Sequence, residues 1–218
     1  MTAQWWPWVA FALLGAYHGV NPGMGWLFAV ARGLQERRRR AVLASILPIA
    51  AGHEVSVIAV VMAVALTQAF VPPYLVRLLA ALALVALGIV TLLRPRAHAR
   101  GFGMRIGVPG LALWAFLMAS AHGAGLMLAP VLLGVPVNGH FADLRQLTLY
   151  ALAAAGLHLA ALLIVMTSVS VLVYDKIGLR VLRRGWFNLD LAWSGVLLVS
   201  GAVTLFTVDP SLPSPFTR

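Results

Sequence analysis

The chain has 218 residues, of which 61% are hydrophobic and only 10% charged, and it contains no cysteine. A soluble domain carries roughly 25% charged residues, so this sequence lacks the polar surface of a water-soluble protein. The absence of cysteine excludes disulfides and thiolate metal sites. The net charge of +10 does not indicate a nucleic-acid partner, because the basic residues are confined to short segments between apolar stretches. We expect a protein of the lipid bilayer without a cleavable signal peptide.

Six apolar stretches are long enough to cross a membrane, whose hydrocarbon core of about 30 Å needs about 20 helical residues. They cover residues 7–31, 42–67, 74–93, 108–133, 147–173 and 189–207. The short linkers between them leave no room for a soluble domain. The sequence therefore predicts an all-α membrane protein, a single transmembrane domain over residues 1–218 with six transmembrane helices.

Three basic clusters follow the first, third and fifth predicted spans and hold thirteen of the sixteen Lys and Arg residues. The clusters are Arg32 with Arg37, Arg38, Arg39 and Arg40; Arg94, Arg96, Arg100 and Arg105; and Lys176, Arg180, Arg183 and Arg184. Cytoplasmic loops carry the excess of Lys and Arg, so we expect both termini outside. The pattern indicates a multi-pass protein of a bacterial-type cytoplasmic (inner) membrane.

An internal repeat relates the two halves of the chain, residues 7–93 and 108–207. Three short segments of the first half match segments of the second in the same order, at offsets of 104, 105 and 113 residues. The pairs are Ala16–Gly19 with Ser120–Gly123, Gly52–His53 with Leu157–His158, and Leu87–Leu92 with Ser200–Leu205. Because each half has three spans, the second half enters the membrane from the opposite side, which predicts a 3+3 inverted repeat with a binding site near the midplane.

Four histidines lie near the middle of their predicted spans, namely His18, His53, His122 and His158. A polar side chain at this depth needs a partner, so it faces the bundle interior or a water-filled cavity. Two histidines from each half can converge on one metal site. The alternative is that each makes a single hydrogen bond that specifies helix packing.

The segment from His18 to Gly25 contains Pro22 and three glycines, which favour a broken or kinked helix. Such breaks occur at membrane depth where protein or a cavity satisfies the freed carbonyls, and they are found at transporter binding sites. The segment from His122 to Gly125, followed by Pro130, is a weaker counterpart in the second half. Close helix packing by small residues is the alternative explanation.

Glu54 is the only carboxylate deep in a predicted span, and it is a candidate cation ligand or proton acceptor. It neighbours His53, and adjacent helical residues point about 100° apart, so the two side chains cannot both face one narrow pore. The zinc-protease motif H-E-x-x-H is not completed, because its fifth position is Val57. Ser120 and His122 point apart on a helix, so no nucleophilic pair is indicated and no enzyme is expected.

The sequence resembles the NicO-type nickel/cobalt transporters in three successive features. These are the pattern His18-Gly19-x-x-Pro22-Gly23, the basic loop that follows it, and the segment Gly52–Val57 with its histidine. The sequence more loosely resembles the nickel/cobalt permeases and hydrogenase/urease-accessory permeases of the broader LysE-like superfamily. The resemblance covers mainly residues 13–60. It implies a transporter of six to eight spans that moves a divalent transition-metal ion, nickel or cobalt, with His18 and His53 among the ligands.

The chain departs from the family pattern at two positions. Met24 stands where the family has a second histidine, and Asn21 stands where an acidic residue is frequent. Both are candidate metal ligands. Imidazoles with a thioether form a softer site, which suits Cu(I) or no metal at all. The scaffold of the family can therefore be present with a different substrate.

Three functions are compatible with these patterns. The first is transport of a small cation, a Ni, Co or Cu ion, through the midplane histidines, with no resident cofactor. The second is a non-transporting accessory subunit on the same scaffold, acting with a membrane partner subunit or as a homo-oligomer. The third is electron transfer through haem held between histidines.

Overall fold

The computed structural model describes residues 5–67, 70–93, 107–134, 144–177 and 189–206. These residues form helices and their connections, and no strand occurs among them. The predicted all-α class is confirmed. The second basic cluster and the third beyond Lys176 lie outside the described residues. The same is true of the two loop histidines, His98 and His140, and of the linker from Pro136 to Gly139, whose residues favour a turn.

Eight α-helices follow one another along the described chain. They are α1 Trp6–Val20, α2 Trp26–Glu36, α3 Arg39–Thr67, α4 Pro73–Leu93, α5 Val108–Ala121, α6 Ala129–Gly134, α7 Leu144–Leu172 and α8 Leu189–Phe206. Short 3-10 turns, Pro22–Met24 and Leu126–Leu128, precede α2 and α6, and a π-helical turn, Val173–Ile177, extends α7.

Three helices are long and apolar enough to cross a membrane alone, over Arg39–Thr67, Tyr74–Leu93 and Arg145–Lys176. A fourth candidate is the pair Val108–Ala121 and Leu126–Leu133, which is bent by 47°. The helix over Trp193–Phe206 is apolar but shorter. The described residues therefore contain three to four candidate spans.

The predicted break in the first apolar stretch is confirmed, since α1 ends at Val20 and α2 begins at Trp26. Asn21 is extended, with φ −68° and ψ 116°, because a residue before proline is disfavoured in the α region. Gly25 has φ 113°, a conformation open to glycine, and it starts α2 in a new direction. The second break is also present, and Gly123 adopts φ 67° there.

The helices pack in pairs, α1 against α7, α3 against α5, and α4 against α8, while α3 and α7 also contact each other. Glycines allow the closest approaches. A Cβ at Gly15 would overlap the His158 carbonyl, and one at Gly52 would overlap the Ala112 carbonyl. Small residues that let helix backbones approach are typical of membrane bundles.

The outer faces of the helices carry large apolar side chains. Leu13 is 65% exposed, Leu47 72% and Ile164 68%. Extensive apolar exposure of this kind marks contact with lipid or another apolar surface. It agrees with the membrane protein indicated by composition.

Several features recur at the spacing of the sequence repeat. Helices α3 and α7 each have 29 residues, and both ends of α7 lie 105 residues after those of α3. The two 3-10 turns lie 104 residues apart. A Cβ at Gly88 would lie 2.9 Å from the Leu198 side chain, and one at Gly201 would lie 2.7 Å from Val85. Gly88 and Gly201, and likewise Val85 and Leu198, correspond at an offset of 113.

Candidate metal centre

Three of the four predicted histidines come together in the core. His18 is supplied by α1, His53 by α3 and His158 by α7, and each is fully buried. One ring nitrogen from each lies within 4.8 Å of the other two. Three different helices therefore present imidazoles to one point.

The imidazoles of His53 and His158 form a stacked pair. Their ring centroids are 5.6 Å apart, their planes differ by 6°, and the two Nε2 atoms are 3.4 Å apart. The His18 ring meets both edge-on, with centroid distances of 5.2 Å to His53 and 4.9 Å to His158. The rings thus form a compact group in which the three contact one another.

The hydrogen bond made by His18 determines which of its nitrogens can bind a ligand. Its Nδ1 lies 2.6 Å from the Leu14 carbonyl oxygen, which can only accept, so Nδ1 carries the proton. The neutral ring then has a lone pair on Nε2, which has no hydrogen-bond partner in the described part of the chain. Metal-bound histidines usually donate their second ring nitrogen to a carbonyl or carboxylate in this way.

The spacing of the nitrogens fits a transition-metal ion after a small contraction. Metal–nitrogen bonds of about 2.0–2.1 Å place tetrahedral ligand atoms roughly 3.4 Å apart. The Nε2 atoms of His53 and His158 already have that separation. Since all the ligand atoms of the group lie within 4.8 Å of one another, His18 needs to approach by at most about 1.4 Å. Rotation of one side chain can provide such a movement.

His122 is not a member of this group. It caps the C-terminal end of α5, and its Nδ1 lies 2.8 Å from the Met118 carbonyl, the same i−4 contact that His18 makes. Its ring meets the Trp193 indole edge-on at 5.3 Å, and the Trp193 Nε1–H donates to the His122 carbonyl at 2.8 Å. The structure thus brings three predicted histidines together and leaves the fourth against an indole.

The remaining predicted ligands lie outside the group of three. The Asn21 Oδ1 accepts from the Gly23 N–H at 2.9 Å and so caps the 3-10 turn. Met24 is 1% exposed and belongs to a buried apolar cluster that includes Ile49. Glu54 is 8% exposed, and its Oε2 has no hydrogen-bond partner among the described residues. As the helical geometry predicts, Glu54 does not join its neighbour in the histidine group.

Sequence reasoning missed two aromatic residues beside the histidines. The Trp193 ring is edge-on to His18 at 5.1 Å and stacks on Tyr17 at 5.5 Å with an interplanar angle of 11°. At the offset of 113, the counterpart of Trp193 is Ala80. A tryptophan within an apolar stretch, at a position where the other half has alanine, is a signal that the sequence carries.

The glycines beside His18 were also overlooked as site-forming residues. Gly15 and Gly19 have the four-residue spacing that brings membrane helices close together. A Cβ at Gly19 would lie 2.8 Å from the Leu162 carbonyl oxygen on α7. The two glycines therefore allow α1 to carry His18 up to His158.

Comparison of the sequence with family profiles and with characterised proteins, and of the fold with solved structures, found no match. The interpretation of the site therefore depends on its own geometry.

Proposed function

We propose that this protein is an inner-membrane transporter of a small cation, a transition-metal ion, through a site formed by His18, His53 and His158. The observation that carries the proposal is the convergence of three buried imidazoles from three helices within 4.8 Å. Buried polar groups at membrane depth mark ion pathways, because the apolar surroundings penalise them elsewhere. The ion is the transported substrate, not a resident cofactor.

The proposed architecture is six spans in a 3+3 inverted repeat with both termini outside. In it, α1 with α2 and α5 with α6 are two broken spans, each interrupted at a 3-10 turn. In this repeat α1 corresponds to α5, α3 to α7 and α4 to α8. The contact of α1 with α7 therefore has its counterpart in the contact of α5 with α3, while the α4–α8 and α3–α7 contacts each join a helix to its own counterpart. The reciprocal contacts of Gly88 and Gly201 support the same symmetry.

An ion fits this site better than haem does. The His53 and His158 Nε2 atoms are in hydrogen-bond range of each other, so no macrocycle can lie between them. The His18 ring closes the group from a third direction. Three neutral imidazoles suit Ni, Co or Cu ions.

The proposal can be tested by metal flux. Purified wild-type protein is reconstituted in liposomes that enclose a metal-responsive fluorophore, and a gradient of Ni²⁺, Co²⁺ or Cu⁺ is applied. At least one ion should enter faster than in protein-free liposomes. His53→Ala should abolish that flux, because it removes one of the two nitrogens already at ligand spacing.

The matched control is Ser168→Ala. The Ser168 hydroxyl is exposed on α7 and donates only within its own helix, to the Ile164 carbonyl. This variant should transport as wild type does. Equal flux in wild type, His53→Ala and protein-free liposomes for all three ions would exclude the proposed function.

A further inference from the structure

His53 and His158 occupy corresponding positions in the two halves, 105 residues apart, and they contact each other. A residue can touch its own symmetry counterpart only on the axis that relates the two. Their stacked rings, with Nε2 facing Nε2, are the arrangement expected of a pair on such an axis. This pair therefore belongs equally to both halves.

His18 and His122 are also counterparts, at the offset of 104, but their positions differ. Both rings are tethered by Nδ1 to the carbonyl four residues earlier, Leu14 in one half and Met118 in the other. Only His18 joins His53 and His158, which we call the axial pair. Exact symmetry would place all four histidines around one point. The structure departs from it there, because His18 joins the group and His122 does not.

The asymmetry coincides with an aromatic side chain that only the second half supplies. Trp193 contacts the rings of both His18 and His122, and it is 1% exposed. Ala80, its counterpart, has no ring to place on the other side of the axis. The indole therefore lies against both of the histidines that correspond at this offset.

We propose that His18 and His122 alternate as the third ligand of the ion, while His53 and His158 bind it throughout. The observed arrangement is one of two. In the other, Trp193 and His18 withdraw and His122 completes the site, so that the ion passes from one half to the other without leaving the axial pair. Movement of one repeat against the other around a fixed site is the physical basis of alternating access.

This inference rests on the proposed function, and binding measurements separate the two. The probe is the ion, of Ni²⁺, Co²⁺ and Cu⁺, that wild type moves fastest. Equilibrium binding and flux are measured for His18→Gln, His122→Gln and the double variant. Glutamine keeps a polar side chain but supplies no imidazole nitrogen.

Each single variant should still bind one ion per chain, because one of the two arrangements keeps its third ligand. Flux should fall at least about tenfold in both, since even the outer partners of metal ligands are worth about 10–100-fold. The double variant should bind at least about tenfold more weakly than either single variant. If His122 had only a packing role, the double variant would bind the ion as tightly as His18→Gln does.

The control is Ser120→Ala, two residues before His122. This change removes the hydrogen bond between the Ser120 and Ser56 hydroxyls but removes no proposed ligand. It should bind and transport as wild type does. Wild-type flux in His122→Gln, or binding in the double variant equal to that in His18→Gln, would overturn ligand exchange and leave the proposed function standing. Flux of no ion by wild type would remove both.

Discussion

The histidines of the group differ in what their Nδ1 atoms contact. The Leu14 carbonyl fixes the tautomer of His18 and aims Nε2 into the group. The His53 Nδ1 has no hydrogen-bond partner among the described residues, while its Nε2 faces His158. A buried imidazole with an unused lone pair is costly in an apolar interior. A cation bound at the Nε2 atoms would use the free lone pair of His18, so the proposed ion would offset part of this cost.

Asn21 is expected to be a structural cap and not a ligand. Asn21→Ala removes the acceptor for the Gly23 N–H, and loss of such a cap costs about 0.5–2 kcal/mol of stability. Metal affinity should remain at the wild-type value, measured by titration in detergent beside a thermal melt. Asn21→Asp keeps the acceptor and should restore the melting temperature. Weaker metal binding in the alanine variant at wild-type stability would make Asn21 a ligand.

Glu54 is expected to leave equilibrium metal binding unchanged when it is replaced. Glu54→Gln keeps the size of a side chain that lies outside the three-histidine group. Titration with the transported ion should give the wild-type affinity, whereas His53→Ala in the same experiment should bind at least about tenfold more weakly. An affinity loss in Glu54→Gln as large as that in His53→Ala would place the carboxylate among the ligands.

At the scale of elements, the site depends on how closely α1 approaches α7. Gly15 faces the His158 carbonyl and Gly19 faces the Leu162 carbonyl, so the two helix backbones nearly touch. A side chain at either position would push His18 away from His158. The geometry of the three-histidine group therefore depends on residues that carry no functional group.

Gly19→Ala should weaken metal binding although all four histidines remain. The added Cβ would lie 2.8 Å from a backbone oxygen that cannot rotate away, and overpacking of this kind costs about 1–3 kcal/mol. The matched control is Gly156→Ala on α7, whose Cβ would meet nothing within 4 Å. The control should bind normally, and it should be as stable as wild type or more stable by up to about 1 kcal/mol. Equal metal affinity in the two variants would mean that metal binding does not depend on the contact between α1 and α7.

The sequence predicted the helical class and both helix breaks, because these follow from local rules. It predicted a group of four histidines from the repeat, and three of the four come together. Pro22 restricts the residue before it, and apolar length defines helices such as α3. The position of His122 was not predictable in this way. It depends on where the side chain of Trp193 packs, which is a tertiary contact over 71 residues. The cap formed by Asn21 was not predicted, because an amide two residues before an N–H serves equally well as a ligand or as a cap.

For the whole molecule, the charged residues at the ends of the helices show which ends are neighbours. Arg39, at the start of α3, lies 3.8 Å from Asp175 in the turn that ends α7. The first basic cluster and the beginning of the third are therefore neighbours at one end of the bundle. Arg77 of α4 donates to the Leu133 carbonyl of α6. This hydrogen bond joins the beginning of α4 to the end of α6, and the proposed six-span topology assigns both to the outside. Both contacts agree with the alternation of basic and neutral loops.

The proposed topology can be tested with single cysteines, because the chain has none of its own. Arg38→Cys and Phe70→Cys introduce thiols at exposed positions on either side of α3, and Phe70 is 86% exposed. At 1.5 Å per residue the 29 residues of α3 reach about 43 Å, enough to cross a hydrocarbon core of about 30 Å. A membrane-impermeant maleimide added to intact cells should label Phe70→Cys, and it should label Arg38→Cys only after permeabilisation. Labelling of both cysteines from the same side would mean that α3 does not cross, and the six-span repeat would then fail because the first half would lose its central span.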